Sequence, residues 1–81
     1  TKNQTTIEYY LEKDDEVQVA VYNYNHIMIK EFKQEGMNLK GLHRFKWDGR
    51  DRNGRPVVSG VYLCVIKIKN KKVINKIAVI N

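Results

Sequence analysis

The side chains with the most obvious chemistry stand together in one stretch, where oxygen donors follow a tryptophan. Asp48, Asp51 and Asn53 alternate with arginines in the run WDGRDRNGRP, residues 47–56. Carboxylate and amide oxygens beside a glycine are typical of calcium loops, which have ligands at positions 1, 3 and 5 and glycine at position 6. Counted from Asp48, positions 3 and 5 are arginines, and counted from Asp51, position 6 is Pro56. Since arginines also repel a dication, calcium is the less favoured use of this stretch.

Nucleophilic or acid-base catalysis would need a serine or cysteine placed beside a histidine. His26 stands in a turn-like stretch, His43 on the inward side of an alternating run, and Cys64 among apolar residues. Apolar surroundings disfavour a thiolate, so we expect Cys64 to be a small buried residue and His43 to be a core or rim histidine with a backbone partner. One cysteine and two separated histidines are also too few for a zinc site. The sequence therefore predicts no enzyme, no metal site and no cofactor.

The favoured use of the stretch is structural. An inward tryptophan at a strand end buries about 200 Å², aspartates accept hydrogen bonds from the backbone of turns, and glycines permit positive φ. Tyr62 and Cys64 have the spacing of a tyrosine corner, in which a tyrosine hydroxyl holds down a crossover loop. Gly60 is expected to let the chain pass close to its neighbour. The predicted structural loop consists of Trp47, Asp48, Gly49, Asp51, Gly54, Gly60 and Tyr62.

The elements that position this loop alternate between apolar and polar residues, and an uninterrupted helical period is found nowhere. Predicted strands run through TTIEYYL, EVQVAVY, IMIKEFK, HRFKWD, VYLCVIKIK and VINKIAVIN, with turns between them. Short strands at this spacing predict an all-β fold, an immunoglobulin- or fibronectin-III-like sandwich of two sheets and about seven strands. The inward residues are expected to be Ile7, Tyr9, Leu11, Val17, Val19, Val21, His43, Phe45, Trp47, Tyr62, Cys64, Ile66 and Ile68.

Two places depart from plain alternation. In the third strand the best apolar pair, Ile29 and Phe32, is three residues apart, which predicts a bulge or a bend. The preceding turn, NYNH, contains two asparagines, which tolerate left-handed backbone angles and favour a tight hairpin. The acidic run Lys13–Glu16 is predicted to be a solvated turn.

Length and composition limit the organisation of the chain. Its 81 residues suit a single module spanning residues 1–81, and no apolar run reaches the ~20 residues needed to cross a bilayer. Because the chain begins at Thr1 rather than Met, we expect it to be a module of a larger protein. The net charge of +6 would suit nucleic acid, with Tyr10, Tyr22 and Tyr24 stacking on bases beside the lysines of residues 67–76. Lysines alternating with apolar residues are more simply a solvated outer face, so nucleic acid is not favoured.

The order of residues in TTIEYYL, VQVAVYNYN, KGLHRFKWDGRDRNGRPVVSGVYLCVIKI and KIAVIN resembles the immunoglobulin-like domain of the flagellar hook-capping protein FlgD. Similar sandwiches stand at the C-terminal ends of secreted bacterial proteins, including type IX sorting domains, and this resemblance implies that the module is the C-terminal part of a larger protein. The resemblance covers nearly the whole chain and is most specific from Trp47 to Asp51, at Gly54 and from Ser59 to Tyr62. The chain differs in its early hairpin, YNYNH, where most members have a glycine, and in lacking the proline- and asparagine-rich linker before the first strand.

The resemblance implies a non-catalytic module of an extracellular or cell-surface bacterial protein, with a structural, sorting or hook-assembly role. Its partner would be another protein, a second copy, or other domains of the parent protein, bound through strand edges and outer faces. The predicted interaction surface contains Leu63, Val65, Lys67 and Lys69. The alternatives are an accessory module of an extracellular enzyme that binds calcium or carbohydrate and, less favoured, a nucleic-acid-binding domain.

Overall fold

The computed structural model describes residues 4–32, 36–69 and 71–80. These residues form strands separated by turns, with the breaks at the glycine-, asparagine- and aspartate-rich stretches. The strands are β1 Thr5–Leu11, β2 Val17–Tyr22, β3 Met28–Phe32, β4 Gly41–Trp47, β5 Gly60–Ile68 and β6 Lys71–Val79.

The strands divide into two antiparallel sheets of unequal size. One sheet contains β1 and β4, and the other has the order β3-β2-β5-β6. Their inner faces meet across the core, where the rings of Phe32 on β3 and Phe45 on β4 lie 4.9 Å apart. The prediction of an all-β sandwich of two sheets is confirmed.

Period-two alternation places one side of each central strand in the core. Along β1 and β2 the burial alternates as expected, with Ala20 buried in addition to the inward valines. The largest fully buried side chains include Trp47, Leu11 and Ile66. The inward side of β4 is less enclosed, since His43 and Phe45 are only half-buried, and Ile68 is also half-buried at the end of β5. The core therefore lies under β1 and thins toward the start of β4.

The irregular third strand contains a bulge, as the spacing of its apolar residues indicated. Val21 pairs with Lys30 and Tyr22 pairs with Met28, so Ile29 is the extra residue. Because the bulge resets the alternation, Ile29 and Phe32 both pack against the core.

The hairpin between β2 and β3 closes in an unexpected way. The Oδ1 of Asn23 accepts hydrogen bonds from the backbone N–H groups of Asn25 and Ile27, at 2.9 and 3.0 Å. The left-handed residue is His26, with φ of 64°, and neither asparagine of the turn has positive φ. The left-handed residue of this turn is therefore the histidine and not an asparagine.

The described residues contain six strands where about seven were expected. The connections supply only isolated bridges, Asp15 with Asn38 and Arg50 with Pro56, because their glycines and polar turns interrupt extended backbone. Within these residues no helix has the length and apolar character needed to cross a membrane.

Candidate functional site

The loop from Asp48 to Val58 is built from two turns, each organised by an aspartate. The Oδ1 of Asp48 accepts the backbone N–H of Arg50 at 3.1 Å. The Oδ1 of Asp51 accepts the N–H groups of Asn53 and Arg55, at 2.9 and 3.0 Å. These bonds to Asp51, that from Arg55 first, hold the pKa of its carboxyl below the usual value of 3.8.

Two glycines of the loop have the backbone conformation that was expected of them. Gly49 has φ of 74° and Gly54 has φ of 80°, both in the left-handed region that other residues avoid. The expectation for Gly60 was wrong. A Cβ at Gly60 would have no heavy atom within 4 Å, and its φ is not in the left-handed region.

Trp47 and Tyr62 attach the loop to the core at its two ends. The Trp47 side chain is 1% exposed, and its Nε1 donates a hydrogen bond to the carbonyl of Arg50 at 2.9 Å. The Tyr62 hydroxyl donates to the carbonyl of Val58 at 2.7 Å, which is the geometry of a tyrosine corner. The two rings contact edge to face, with centroids 5.9 Å apart. Buried aromatic rings and charge-free hydrogen bonds thus hold both ends of the loop.

Arginines of the loop bind backbone carbonyls, a role that sequence reasoning missed. Arg50 donates from Nη1 to the carbonyl of Gly54 at 2.8 Å. Arg52 donates from its backbone N–H to the carbonyl of Ile29, and from Nη2 to that of Met28, both at 3.1 Å. Both acceptors of Arg52 lie in β3, at the bulge. No sequence signal pointed to this contact, because it joins residues more than twenty positions apart.

The geometry of the loop offers little to a metal ion. The Oδ1 atoms of both aspartates point at backbone donors of their own turns, and an arginine side chain lies 4.0 Å from the Oδ2 of Asp48. In the part of the chain that the structure describes, no group of three or more His, Cys, Asp or Glu side chains could hold a metal. The two aspartates therefore accept hydrogen bonds from the backbone of the loop.

The histidines and the cysteine lie apart from one another. His43 stacks on Tyr9, with ring centroids 5.1 Å apart, and its Nε2 lies 2.6 Å from the carbonyl of Leu39. Cys64 is buried in the core, and this burial raises the pKa of its thiol to about 11. A thiol with that pKa is protonated at neutral pH and is a poor nucleophile.

The predicted interaction surface is only partly brought together. Leu63, Val65 and Lys67 share the outer face of the β3-β2-β5-β6 sheet, with the leucine and the valine half-buried. Lys69 lies instead in the turn after β5, with φ of 50°. Sequence reasoning missed Ile74, which pairs with Val65 and is 54% exposed. We call Leu63, Val65, Lys67, Lys72 and Ile74 the lysine face.

The lysine face contains an unfavourable pair. Lys67 of β5 and Lys72 of β6 stand directly opposite each other, and both are exposed. Within the described ranges, no carboxylate lies within 4 Å of either ammonium group. Like charges directly opposite one another in a sheet are destabilising.

The tyrosines that were weighed as a platform for nucleic-acid bases do not form one surface. Tyr10 projects from the outer face of the β1–β4 sheet and is exposed, whereas Tyr22 is half-buried on the outer face of the other sheet. Tyr24 lies in the β2–β3 turn. Only Tyr22 shares the sheet face of Lys67 and Lys72.

Comparison with known proteins identifies a family and a fold. The model of the FlgD Ig-like domain family matches residues 1–72. The fold is similar to that of the crystal structure of FlgD from P. aeruginosa, with a TM-score of 0.70 at 23% sequence identity. The similar region covers 93% of this chain and 59% of that one, so the chain spans little more than half of that relative. No curated protein matches the chain in sequence.

Proposed function

Because the chain belongs to the FlgD Ig-like domain family, we propose that it is a structural module through which a larger bacterial protein binds another protein. The module has no catalytic role. The parent protein acts outside the cell, as a hook-assembly factor or as a secreted or surface protein. In either setting the module supplies a rigid surface rather than chemistry.

The observation that supports this function is the Lys67–Lys72 pair beside an apolar patch. The pair weakens the isolated module, because two ammonium groups face each other across neighbouring strands. Next to it lie Val65 and the exposed Ile74, also directly opposite each other. A partner that places a carboxylate between the two lysines removes their repulsion and covers the apolar pair at the same time.

The partner surface therefore combines apolar side chains with carboxylates. Two copies of the module pressed together through the lysine face would bring four lysines into one interface, at a cost in desolvation and repulsion. The proposed occupant is thus an acidic surface of a different protein, such as a neighbouring subunit of the assembly to which the parent belongs.

Site-specific cross-linking in the parent protein tests this function. A photo-reactive amino acid at Ile74, which is 54% exposed, is compared with one at Leu42 on the outer face of the β1–β4 sheet, which is 53% exposed. We expect a discrete cross-linked protein from position 74 and none from position 42, since only the first lies in the lysine face.

Charge reversal supplies the second arm of that experiment. Replacing Lys67 and Lys72 with Glu should lower the yield of cross-linked product at least tenfold, because the acidic partner is then repelled. The control replaces the exposed Lys40 and Lys46 with Glu, which makes the same change in net charge elsewhere. An equal loss in both double variants would contradict the proposal. So would cross-links from position 74 that are only to nucleic acid or to a second copy.

A further inference from the structure

The outermost part of the loop between β4 and β5 is a tight turn closed by backbone hydrogen bonds. The N–H of Asp51 donates to the carbonyl of Arg55 at 2.8 Å, and the N–H of Gly54 donates to the carbonyl of Asp51 at 3.0 Å. Together with φ of 80° at Gly54, these bonds are typical of a type I turn followed by a left-handed glycine. We call residues 51–55 the loop tip.

The loop tip contains an asparagine in a chemically labile position. Asn53 is exposed, and it is the only asparagine of the sequence that is followed by glycine. Asparagine is a thermolabile residue, because the backbone nitrogen of the next residue can attack its side-chain carbonyl carbon. Glycine, which has no Cβ, hinders that attack least.

We propose that Asn53 is a modification site, at which the side-chain amide is lost and the residue becomes isoaspartate or aspartate. The Gly54 nitrogen forms a bond to Cγ of Asn53, and the bond from Cγ to Nδ2 breaks. Ammonia leaves with the proton of the Gly54 N–H. Water then opens the cyclic imide at either carbonyl carbon and returns a proton to the Gly54 nitrogen. Opening at the main-chain carbonyl gives isoaspartate, in which the main chain runs through Cγ.

The charges of the loop favour the first step. The Gly54 nitrogen attacks after losing its proton, and a positive environment stabilises the anion that forms. The loop has three arginines and two aspartates, namely Arg50, Arg52 and Arg55, and Asp48 and Asp51. The excess of positive charge therefore assists attack once the Gly54 N–H is free.

The closed loop tip restrains the same step. The N–H that must lose its proton is the one that Gly54 donates to the Asp51 carbonyl. The N–H of Asn53 donates to the Oδ1 of Asp51 at 2.9 Å, which fixes the backbone on the other side of Asn53. A base reaches the Gly54 proton only when these bonds open. Asp51 therefore controls how fast Asn53 is modified.

Modification to isoaspartate releases the loop tip from the larger sheet. It lengthens the main chain by a carbon atom, so the turn from Asp51 to Arg55 no longer closes. Arg52 bonds the carbonyls of Ile29 and Met28 through its backbone N–H and its Nη2, both at 3.1 Å. These carbonyls belong to β3, which is a terminal strand of the larger sheet. Loss of the two bonds uncovers backbone acceptors at that edge.

Mass spectrometry of the natural chain, incubated at pH 8, tests the inference. We expect Asn53 to be converted before any other asparagine, with fragmentation distinguishing isoaspartate from aspartate. Conversion should be at least about tenfold slower in the folded chain than in the chain unfolded in guanidinium chloride, because the loop tip opens rarely. Asp48, which also precedes a glycine, does not interfere, since the same rearrangement leaves its mass unchanged.

Two aspartate variants provide a second measurement with a matched control. In the folded chain, Asp51→Ala should speed conversion of Asn53 at least about threefold, because the loop tip loses its carboxylate acceptor. Asp14 also accepts a backbone N–H, that of Lys40 at 2.7 Å, but it follows the opposite end of β1 from the loop. Asp14→Ala should therefore leave the rate unchanged. Trp47 fluorescence reports whether each variant is folded.

The isoaspartyl chain, once purified, tests the release from β3. Its control is Asn53→Asp, which has the same charge and an unaltered main chain. Hydrogen exchange at the backbone amide of Arg52 should be at least about tenfold faster in the isoaspartyl chain than in this control. The amides of β2 should exchange at the same rate in both.

Three results would overturn the inference. These are conversion of Asn53 as fast in the folded chain as in the unfolded one, equal rates in Asp51→Ala and Asp14→Ala, and equal Arg52 exchange in the isoaspartyl chain and Asn53→Asp. The inference goes beyond the proposed function, since it concerns the loop and not the lysine face. Because none of these measurements involves a partner protein, the two can fail independently.

Discussion

Asp51 stabilises its loop as a carboxylate that accepts hydrogen bonds from neighbouring backbone N–H groups. Its carboxylate accepts hydrogen bonds from Asn53 and Arg55, and both of these bonds favour the charged form. Trp47 and Tyr62 act differently, since each donates a single neutral hydrogen bond to a loop carbonyl from a buried ring. At the residue scale, pH should therefore act on the loop mainly through Asp51.

The effect of Asp51 on stability should depend on pH with a definite sign. The folded pKa lies below the unfolded value, near 3.8, so the stabilisation is complete above that value and is lost as pH falls through the folded pKa. We expect thermal melting to show the natural chain as more stable than Asp51→Asn at pH 7, with a gap that closes at acid pH.

Glu12→Gln is the control for this titration, because Glu12 is exposed and accepts no hydrogen bond from the described residues. A gap between the natural chain and Asp51→Asn that stays constant down to pH 2 would argue against the backbone bonds as the source of the stabilisation.

At the scale of elements, the β2–β3 hairpin contains a residue with a strained backbone. His26 has φ of 64° and is exposed, so it gains little from burial in return for a left-handed backbone. The left-handed conformation costs about 1–2 kcal/mol for a residue with a Cβ, and glycine's extra freedom in the unfolded chain offsets about 0.5–1 kcal/mol of that.

His26→Gly should therefore raise the free energy of unfolding by about 0.5–1 kcal/mol. Chemical denaturation of both chains measures the difference. Asn25→Gly, at the adjacent residue without positive φ, should instead lower the free energy of unfolding by a similar amount. If both glycine variants destabilise the chain, the strain at His26 is not the controlling factor.

At the scale of the whole molecule, the reactivity of the Cys64 thiol measures how often the core of the sandwich opens. Cys64 lies on β5 between β2 and β6, is 1% exposed, and has a thiol pKa raised to about 11 by burial. A reagent that alkylates thiolates can reach it only when the packing around β5 opens. The accessibility of this one thiol therefore measures opening of the core.

Alkylation of Cys64 by iodoacetamide at pH 8 should be at least about a thousandfold slower in the folded chain than in the unfolded one, following the free energy of unfolding. Denaturant added below the unfolding midpoint should speed the reaction in parallel with the unfolded fraction. A cysteine placed at Lys46 in a Cys64→Ser background should react at the unfolded rate, because that position is exposed. Rapid labelling of Cys64 in the native chain would mean that the sheets open locally.

The amino-acid sequence alone determined which residues form strands, which side of most strands faces inward, and the family of the Trp47–Tyr62 loop. Those properties depend on local alternation, turn chemistry and motif order, all of which can be seen within a few neighbouring residues. The bulge at Ile29 belongs to the same class, since the apolar spacing around it was already irregular.

Only the tertiary structure decided how the strands combine. Strand pairing brings Lys67 opposite Lys72. It also lets the Arg52 side chain donate a hydrogen bond to the carbonyl of Met28. Likewise, the backbone N–H of Lys40 donates to the carboxylate of Asp14 at 2.7 Å. Contacts between residues far apart in sequence leave no local pattern, because they depend on which sheet each strand joins and in which register.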